Sequence, residues 1–222
     1  MHIQLVGLPA SGKSTLAKAL VDNYPEKYIL GQKRYDSLKK LVVKKPILVL
    51  KVLIKCIPIS YICFLSLMRS DVRLLNRLEA FLGLVVNLVN YEEMIRGFEE
   101  GDRIVVWDEM AFQRVFSIFA YSKYVPARED IVKYTKWVTE RFLCKPIFVT
   151  SGENYLDRVL DRGVPNRMLN FNDDALNKVM KTHTIVFEMI TENYTLGNMV
   201  TTNNEIEKSI LFIHEMLVKN ER

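Results

Sequence analysis

"GLPASGKS", residues Gly7–Ser14, lies at the very start of the chain and fits the spacing G-x-x-x-x-G-K-[ST]. In a chain of 222 residues such a match arises by chance on the order of once in a hundred times. Upstream, His2-Ile3-Gln4-Leu5-Val6 is a short, mostly apolar run suited to a buried strand. Downstream, Leu16, Ala19, Leu20 and Val21 recur at helical spacing within Ser14 to Tyr24. Strand, loop and helix together are the context in which this pattern cradles phosphate. Gly7 and Gly12 let the backbone turn tightly with its N–H groups inward, and the helix start adds a positive dipole end. Gly7, Ala10, Ser11, Gly12, Lys13, Ser14 and Thr15 are therefore the candidate nucleotide-binding loop. Within it, Lys13 serves the β and γ phosphates and the Ser14 hydroxyl serves Mg2+. The competing reading is a glycine-rich turn without ligand; the flanking strand and helix argue against it.

A length of 222 residues with 49% hydrophobic content suits one α/β domain, 1–222, with a smaller insertion. The net charge of +5 fits a protein handling anionic small molecules. That excess is spread along the chain and does not argue for nucleic acid as a partner. Cys56, Cys63 and Cys144 are odd in number, sit among apolar residues and lack C-x-x-C spacing, so neither disulfides nor zinc are expected. His2, His183 and His214 are too scattered for a ligand set and read as structural. Cysteine usage and a start without a leader pattern predict a cytoplasmic protein.

Beyond the first helix, Tyr28 to Ser37 reads as a connection into a second short strand or loop. Leu41 to Leu67 is strongly apolar, but its longest uncharged run, Cys56 to Met68, is 13 residues and contains Pro58, short of the roughly 20 that a membrane span needs. The preferred reading is a pair of buried, mutually packed helices broken near Pro46 and Pro58. The alternative, not favoured, is membrane-surface contact through 41–67, where Lys44, Lys45, Lys51 and Lys55 flank the apolar residues. Asp71 then starts a long helical pattern that ends near Gly101.

Ile104-Val105-Val106-Trp107 runs into Asp108-Glu109, a Walker B pattern: a buried parallel strand with acids at its C-terminal edge. Next to a phosphate loop, Asp108 is a candidate to hold Mg2+ or its waters opposite Ser14. The alternative is an acidic cap for a helix over Ala111 to Tyr124. Further on, helices are expected over Ala127 to Leu143, Asn154 to Asp161 and Asp173 to Asn193. Strands are expected at Pro146 to Thr150 and Asn198 to Thr201, before a last helix to Val218 with Thr202 and Glu205 in capping-box spacing. The alternation predicts a mainly parallel sheet of about five strands with helices on both faces.

"DRVLDRGVPNRM" carries Arg158, Arg162 and Arg167. The first two share a helix face, and Gly163 and Pro165 break that helix into a loop bearing the third. Guanidinium groups in such a segment, 157–172, can close over a triphosphate and neutralise charge on the transferred group. The alternative is local pairing with Asp157 and Asp161 on a solvated face.

These segments together resemble the P-loop nucleoside-monophosphate kinase superfamily, and most of all its thymidylate kinase-like branch. Three stretches carry the resemblance: GLPASGKS, "EEGDRIVVWDEMAFQRVFSIFAYS", and "KPIFVTSGENYLDRVLDRGVPNRM". It implies a three-layer α/β P-loop kinase fold with a helical acceptor cap over 39–100 and an arginine lid. It also implies ATP and Mg2+ as the donor pair, with Lys13 and Ser14 at phosphate and metal and Arg158, Arg162 and Arg167 as lid contacts. Thymidylate kinases put Asp-Arg after the third strand, where this chain has Asp108-Glu109. The exchange removes a cation and adds a carboxylate, which favours an uncharged hydroxyl acceptor, a nucleoside or sugar, unless Arg34, Arg69, Arg73, Arg77 or Arg114 replaces the charge.

The expected activity is therefore transfer of the γ-phosphoryl group of ATP to a small-molecule hydroxyl or phosphate. Lys13 and the lid arginines would stabilise the transferring group, and Asp108 and Glu109 would divide metal holding and proton acceptance. A nucleotide-hydrolysing switch acting on a partner is the competing class. A homodimer is the expected oligomer if the chain associates.

Overall fold

The computed structural model describes residues 1–31, 44, 46–70, 74–97, 103–108, 110–121, 124–142, 144–150, 155–161, 171–194, 199–201 and 206–219. Strands β1 (His2–Gly7), β2 (Tyr28–Leu30), β3 (Ile104–Trp107), β4 (Cys144–Thr150) and β5 (Met199–Thr201) form one sheet in the order β2-β3-β1-β4-β5. Every pairing is parallel, with Gln4 beside Trp107 on one side and Pro146 on the other. Both faces of the sheet are covered, which is why its strands read as near-continuous apolar runs.

Side chains alternate between two cores, as the two-residue period of a strand demands. Ile3 and Leu5 of β1, Ile104 and Val106 of β3 and Ile147 and Val149 of β4 face helices α1 (Lys13–Asn23) and α8 (Ile206–Lys219). Val6, Val105, Trp107 and Phe148 face the opposite layer. That layer contains α2 (Pro46–Met68), α3 (Leu74–Gly97), α4 (Arg114–Phe119), α5 (Arg128–Phe142) and α7 (Asp173–Thr191), while α6 (Tyr155–Asp161) follows β4. The helix following β1 thus lies on one face and those following β3 on the other. Diverging connections from two adjacent strands open a crevice at their carboxyl ends.

Several expectations change in detail. The helix after β3 is confined to Arg114–Phe119 rather than spanning Ala111 to Tyr124. Pro46 begins α2, the position where a missing N–H costs least. The helix bends by 80° between Pro46–Ile57 and Ile59–Met68, at Pro58, where the chain has no N–H to continue the helical hydrogen bonds. The expectation that this stretch is buried holds for one face only. Val49, Val52, Cys56, Ile59, Cys63 and Leu67 enter the core, whereas Ile47, Ile57 and Tyr61 are exposed. Among the described residues no single helix is long and apolar enough to cross a membrane. The positions of Asp71, Thr202 and Glu205 lie outside the described residues.

Glu92, buried on α3, draws together three helices: it pairs with Arg141 of α5 and with Lys55 of α2 at 3.5 Å. Removing it leaves two partly exposed cations facing each other without their shared counter-ion. We expect Glu92→Ala to lower the unfolding free energy by about 1–2 kcal/mol, read from urea denaturation midpoints at unchanged slope.

The histidines serve packing. His2 Nδ1 lies 3.3 Å from the Trp107 indole N–H that donates to it. His214 stacks on Tyr24 at 4.0 Å between centroids and meets the Tyr28 hydroxyl at 3.1 Å. His183 of α7 is buried against Phe116 and Tyr121, with Nδ1 2.9 Å from the Val179 carbonyl. Desolvation lowers its pKa from 6.5 to about 4, the Val179 bond opposing the change. The unfolded chain therefore takes up this proton first as pH falls. Its contribution is fully present above 6.5 and fades as pH drops towards 4, by roughly 3 kcal/mol in all. The stability lost between about pH 7 and about pH 4.5 should be smaller in His183→Gln than in the wild type. Cys56, Cys63 and Cys144 are buried thiols that burial pushes up to about 12, which makes them unreactive.

Candidate functional site

The loop leaves β1 at Gly7, and sterics explain the glycine. A Cβ there would lie 2.2 Å from the Val149 carbonyl oxygen of β4 and 2.7 Å from Ser11 Oγ. Ala10 (φ 60°) and Gly12 (φ 86°) both take left-handed conformations. Such residues within a turn are the backbone signature of an anion-binding nest. The Ser11 N–H closes the turn on the Leu8 carbonyl at 3.2 Å. Gly12 caps α1 without a side-chain hydrogen bond, and no acidic residue occupies the first turn. The helix thus presents its positive end to the crevice.

Lys13 is buried, and its Nζ donates to the Gly7 carbonyl at 3.0 Å, the Leu8 carbonyl at 2.8 Å and Ser11 Oγ at 3.2 Å. These three contacts draw the ammonium inside the curve of the loop. A phosphate oxygen, itself charged, forms stronger bonds to the same donors than a neutral carbonyl does. Above the loop opens a cleft of about 590 Å³, lined by residues 9–15 with Gln113, Arg158 and Asp161. Ala10, Ser11, Gly12, Lys13, Ser14, Thr15 and Arg158 meet there, with Gly7 beneath. Ser14 is exposed to the cleft, and Asp108 is half-buried one residue beyond Trp107, the register partner of Gln4. A hydroxyl and a carboxylate are hard oxygen donors of the kind Mg2+ prefers; Ser14 lines the cleft, whereas Asp108 is not among the described residues that line it. The reading of Asp108 as a helix cap fails, because α4 begins at Arg114 with Gln113 at the cap position and no side-chain cap bond. Among the described residues no cluster of three or more His, Cys, Asp or Glu could hold a metal by itself. Glu109, Arg162 and Arg167 lie outside the described residues, as does most of 157–172.

Gln113 is a cleft residue that the motifs do not reveal. Its Nε2 donates to the Gly7 carbonyl at 2.7 Å and its Oε1 accepts from the Gly7 N–H at 3.2 Å. The amide therefore fixes both backbone groups at the root of the loop. Gln4, fully buried in β1, supports the same segment. With its amide oriented to satisfy both ends, its oxygen accepts from the N–H groups of Met110 at 3.0 Å and Gln113 at 3.2 Å. The only sequence signal for either is a polar amide inside an apolar run. Asp161, beside Arg158 on α6, also lines the cleft.

No family model matches the chain, and neither does any curated protein sequence. Among solved structures, a deoxyadenosine kinase from M. mycoides with bound dATP matches with a TM-score of 0.51 at 12% sequence identity, covering 98% of this chain and 99% of that one. A second structure of that kinase, with products dCMP and a flexible dCDP bound, gives 0.47 at 12% identity, covering 99% of this chain and 100% of that one. At this identity the first likeness shows the fold: an α/β domain with a parallel sheet flanked by helices.

Proposed function

We propose that the protein is an ATP- and Mg2+-dependent kinase of the P-loop kinase superfamily that phosphorylates a nucleoside hydroxyl. The observation that carries this reading is the buried Lys13 ammonium inside the left-handed turns of the loop, under a cleft that also receives Arg158. The like-folded protein is a deoxyadenosine kinase that holds dATP, which puts deoxynucleosides first among acceptors. Glu109, where thymidylate kinases carry Arg, points the same way, towards a neutral hydroxyl rather than thymidylate. The 39–100 segment is the acceptor cap of a single 1–222 domain, and 157–172 is its lid.

In-line phosphoryl transfer asks for alignment, charge neutralisation and exclusion of water. Lys13 Nζ exchanges the Gly7 and Leu8 carbonyls for β and γ phosphate oxygens. The α1 N-terminus receives the same phosphates, and Gln113 keeps Gly7 from yielding as the loop closes on them. Arg158, joined by Arg162 and Arg167, neutralises the transferring group. Ser14 and Asp108 would hold Mg2+, which would supply neutralisation of phosphate charge. Asp108 or Glu109 accepts the proton of the attacking hydroxyl.

The test is ADP formation from Mg-ATP against a panel of deoxynucleosides, ribonucleosides, nucleoside monophosphates and sugars. Stimulation by one nucleoside class supports the proposal. Stimulation by a monophosphate alone would reassign the acceptor, and equal slow hydrolysis with every compound would replace a kinase by a hydrolysing switch.

A further inference from the structure

We propose that the outward face of α2 docks the protein on an anionic bilayer surface. The first leg of this helix turns Ile47, Leu50, Ile54 and Ile57 to solvent, and the second turns out Tyr61, Phe64 and Met68. These positions step alternately by three and four residues, so each leg of the bent helix carries one apolar stripe on its solvent side. Ile47 is 80% exposed, Ile57 65% and Tyr61 69%. The opposite stripe, from Val49 through Cys56 to Leu67, is already committed to the core. No described element covers the outward stripe, which is far more apolar than an ordinary solvated helix face.

Charge decides which occupant fits. Seven Lys and Arg lie between Ser37 and Ser70, without a single Asp or Glu. Lys55 turns inward to Glu92, whereas Lys44, Lys51 and Arg69 are exposed beside the stripe. Two copies meeting through this face would bring like charges together. An anionic lipid surface instead accepts the apolar side chains at the acyl boundary and pairs the cations with its headgroups. With its inner stripe committed to the core, the helix is placed to meet such a surface with its outward face.

The experiment is flotation of the full chain with vesicles of phosphatidylcholine alone or with about 30% phosphatidylserine, at low and physiological salt. Binding is expected to be at least about tenfold tighter on the anionic vesicles and to weaken as salt rises. Lys44→Gln with Lys51→Gln should lower it on the order of 30-fold. Ile54→Glu with Ile57→Glu should lower it on the order of a hundred-fold. All four side chains are exposed, so the circular dichroism and melting temperature of both variants should match the wild type. Folded wild-type protein that stays unbound with both vesicle types overturns the proposal. So does a concentration-dependent dimer, seen by sedimentation, that Ile54→Glu with Ile57→Glu dissolves, since a second copy would then cover the face.

Discussion

Lys13→Ala is expected to lower acceptor-dependent ADP formation by about a hundred- to a thousand-fold, the size of effect seen when one preorganised donor to a transition-state charge is removed. Lys13 begins α1, and its Nζ reaches back to within 3.2 Å of three loop oxygens. Those contacts hold the loop shape; in the proposed nucleotide complex the same ammonium would meet phosphate. The substitution therefore removes a scaffold contact as well as a catalytic charge, and Lys13→Met separates the two because it keeps most of the buried stem. Both variants should show the kinetic defect, and melting temperatures should differ from wild type by only a few degrees, as expected for the loss of about 1 kcal/mol of hydrogen bonding. The check is steady-state kinetics at saturating acceptor alongside thermal melts. Full activity in Lys13→Met would separate the loop from the chemistry.

Gly7→Ala tests the same loop from below. The added methyl would stand 2.2 Å from the Val149 carbonyl oxygen, which belongs to a strand with no freedom to rotate away. Either β4 moves or the loop lifts. Overpacking of this kind costs about 1–3 kcal/mol, so a melting temperature about 3–10 °C lower is expected. A loop lifted by about 1 Å also loses on the order of a hundred-fold in transfer rate through misalignment. Gln113 sharpens the expectation, because its two hydrogen bonds hold Gly7 on the other side. A displaced Gly7 cannot keep both. Wild-type rates in a normally melting Gly7→Ala protein would contradict the clash and the role given to the loop.

The loop, the central strand and the acid after β3 were legible because each is written in contiguous residues whose chemistry depends on spacing. The two-layer packing was legible for a similar reason: alternating positions in β1, β3 and β4 separate into the two cores. What stayed hidden depends on register between distant segments. Gln4 and Gln113 are 109 residues apart, and only the parallel pairing of β1 with β3 brings them together. The bend in α2 was foreshadowed by Pro58, but which of its stripes enters the core depends on where α3, α4 and α5 pack, and that no local pattern states. The long helix expected after Asp108 proved to be one of six residues. There the apolar residues of Met110 to Phe112 are buried in the turn that carries Gln113, rather than along a helix face.

The fate of the γ-phosphoryl group distinguishes transfer from hydrolysis. With γ-labelled Mg-ATP and deoxyadenosine, label should appear in a nucleoside monophosphate faster than in inorganic phosphate, and Lys13→Ala should slow formation of that product by about a hundred- to a thousand-fold. Label accumulating only in inorganic phosphate, at a rate no nucleoside alters, would contradict the assignment of this protein as a kinase.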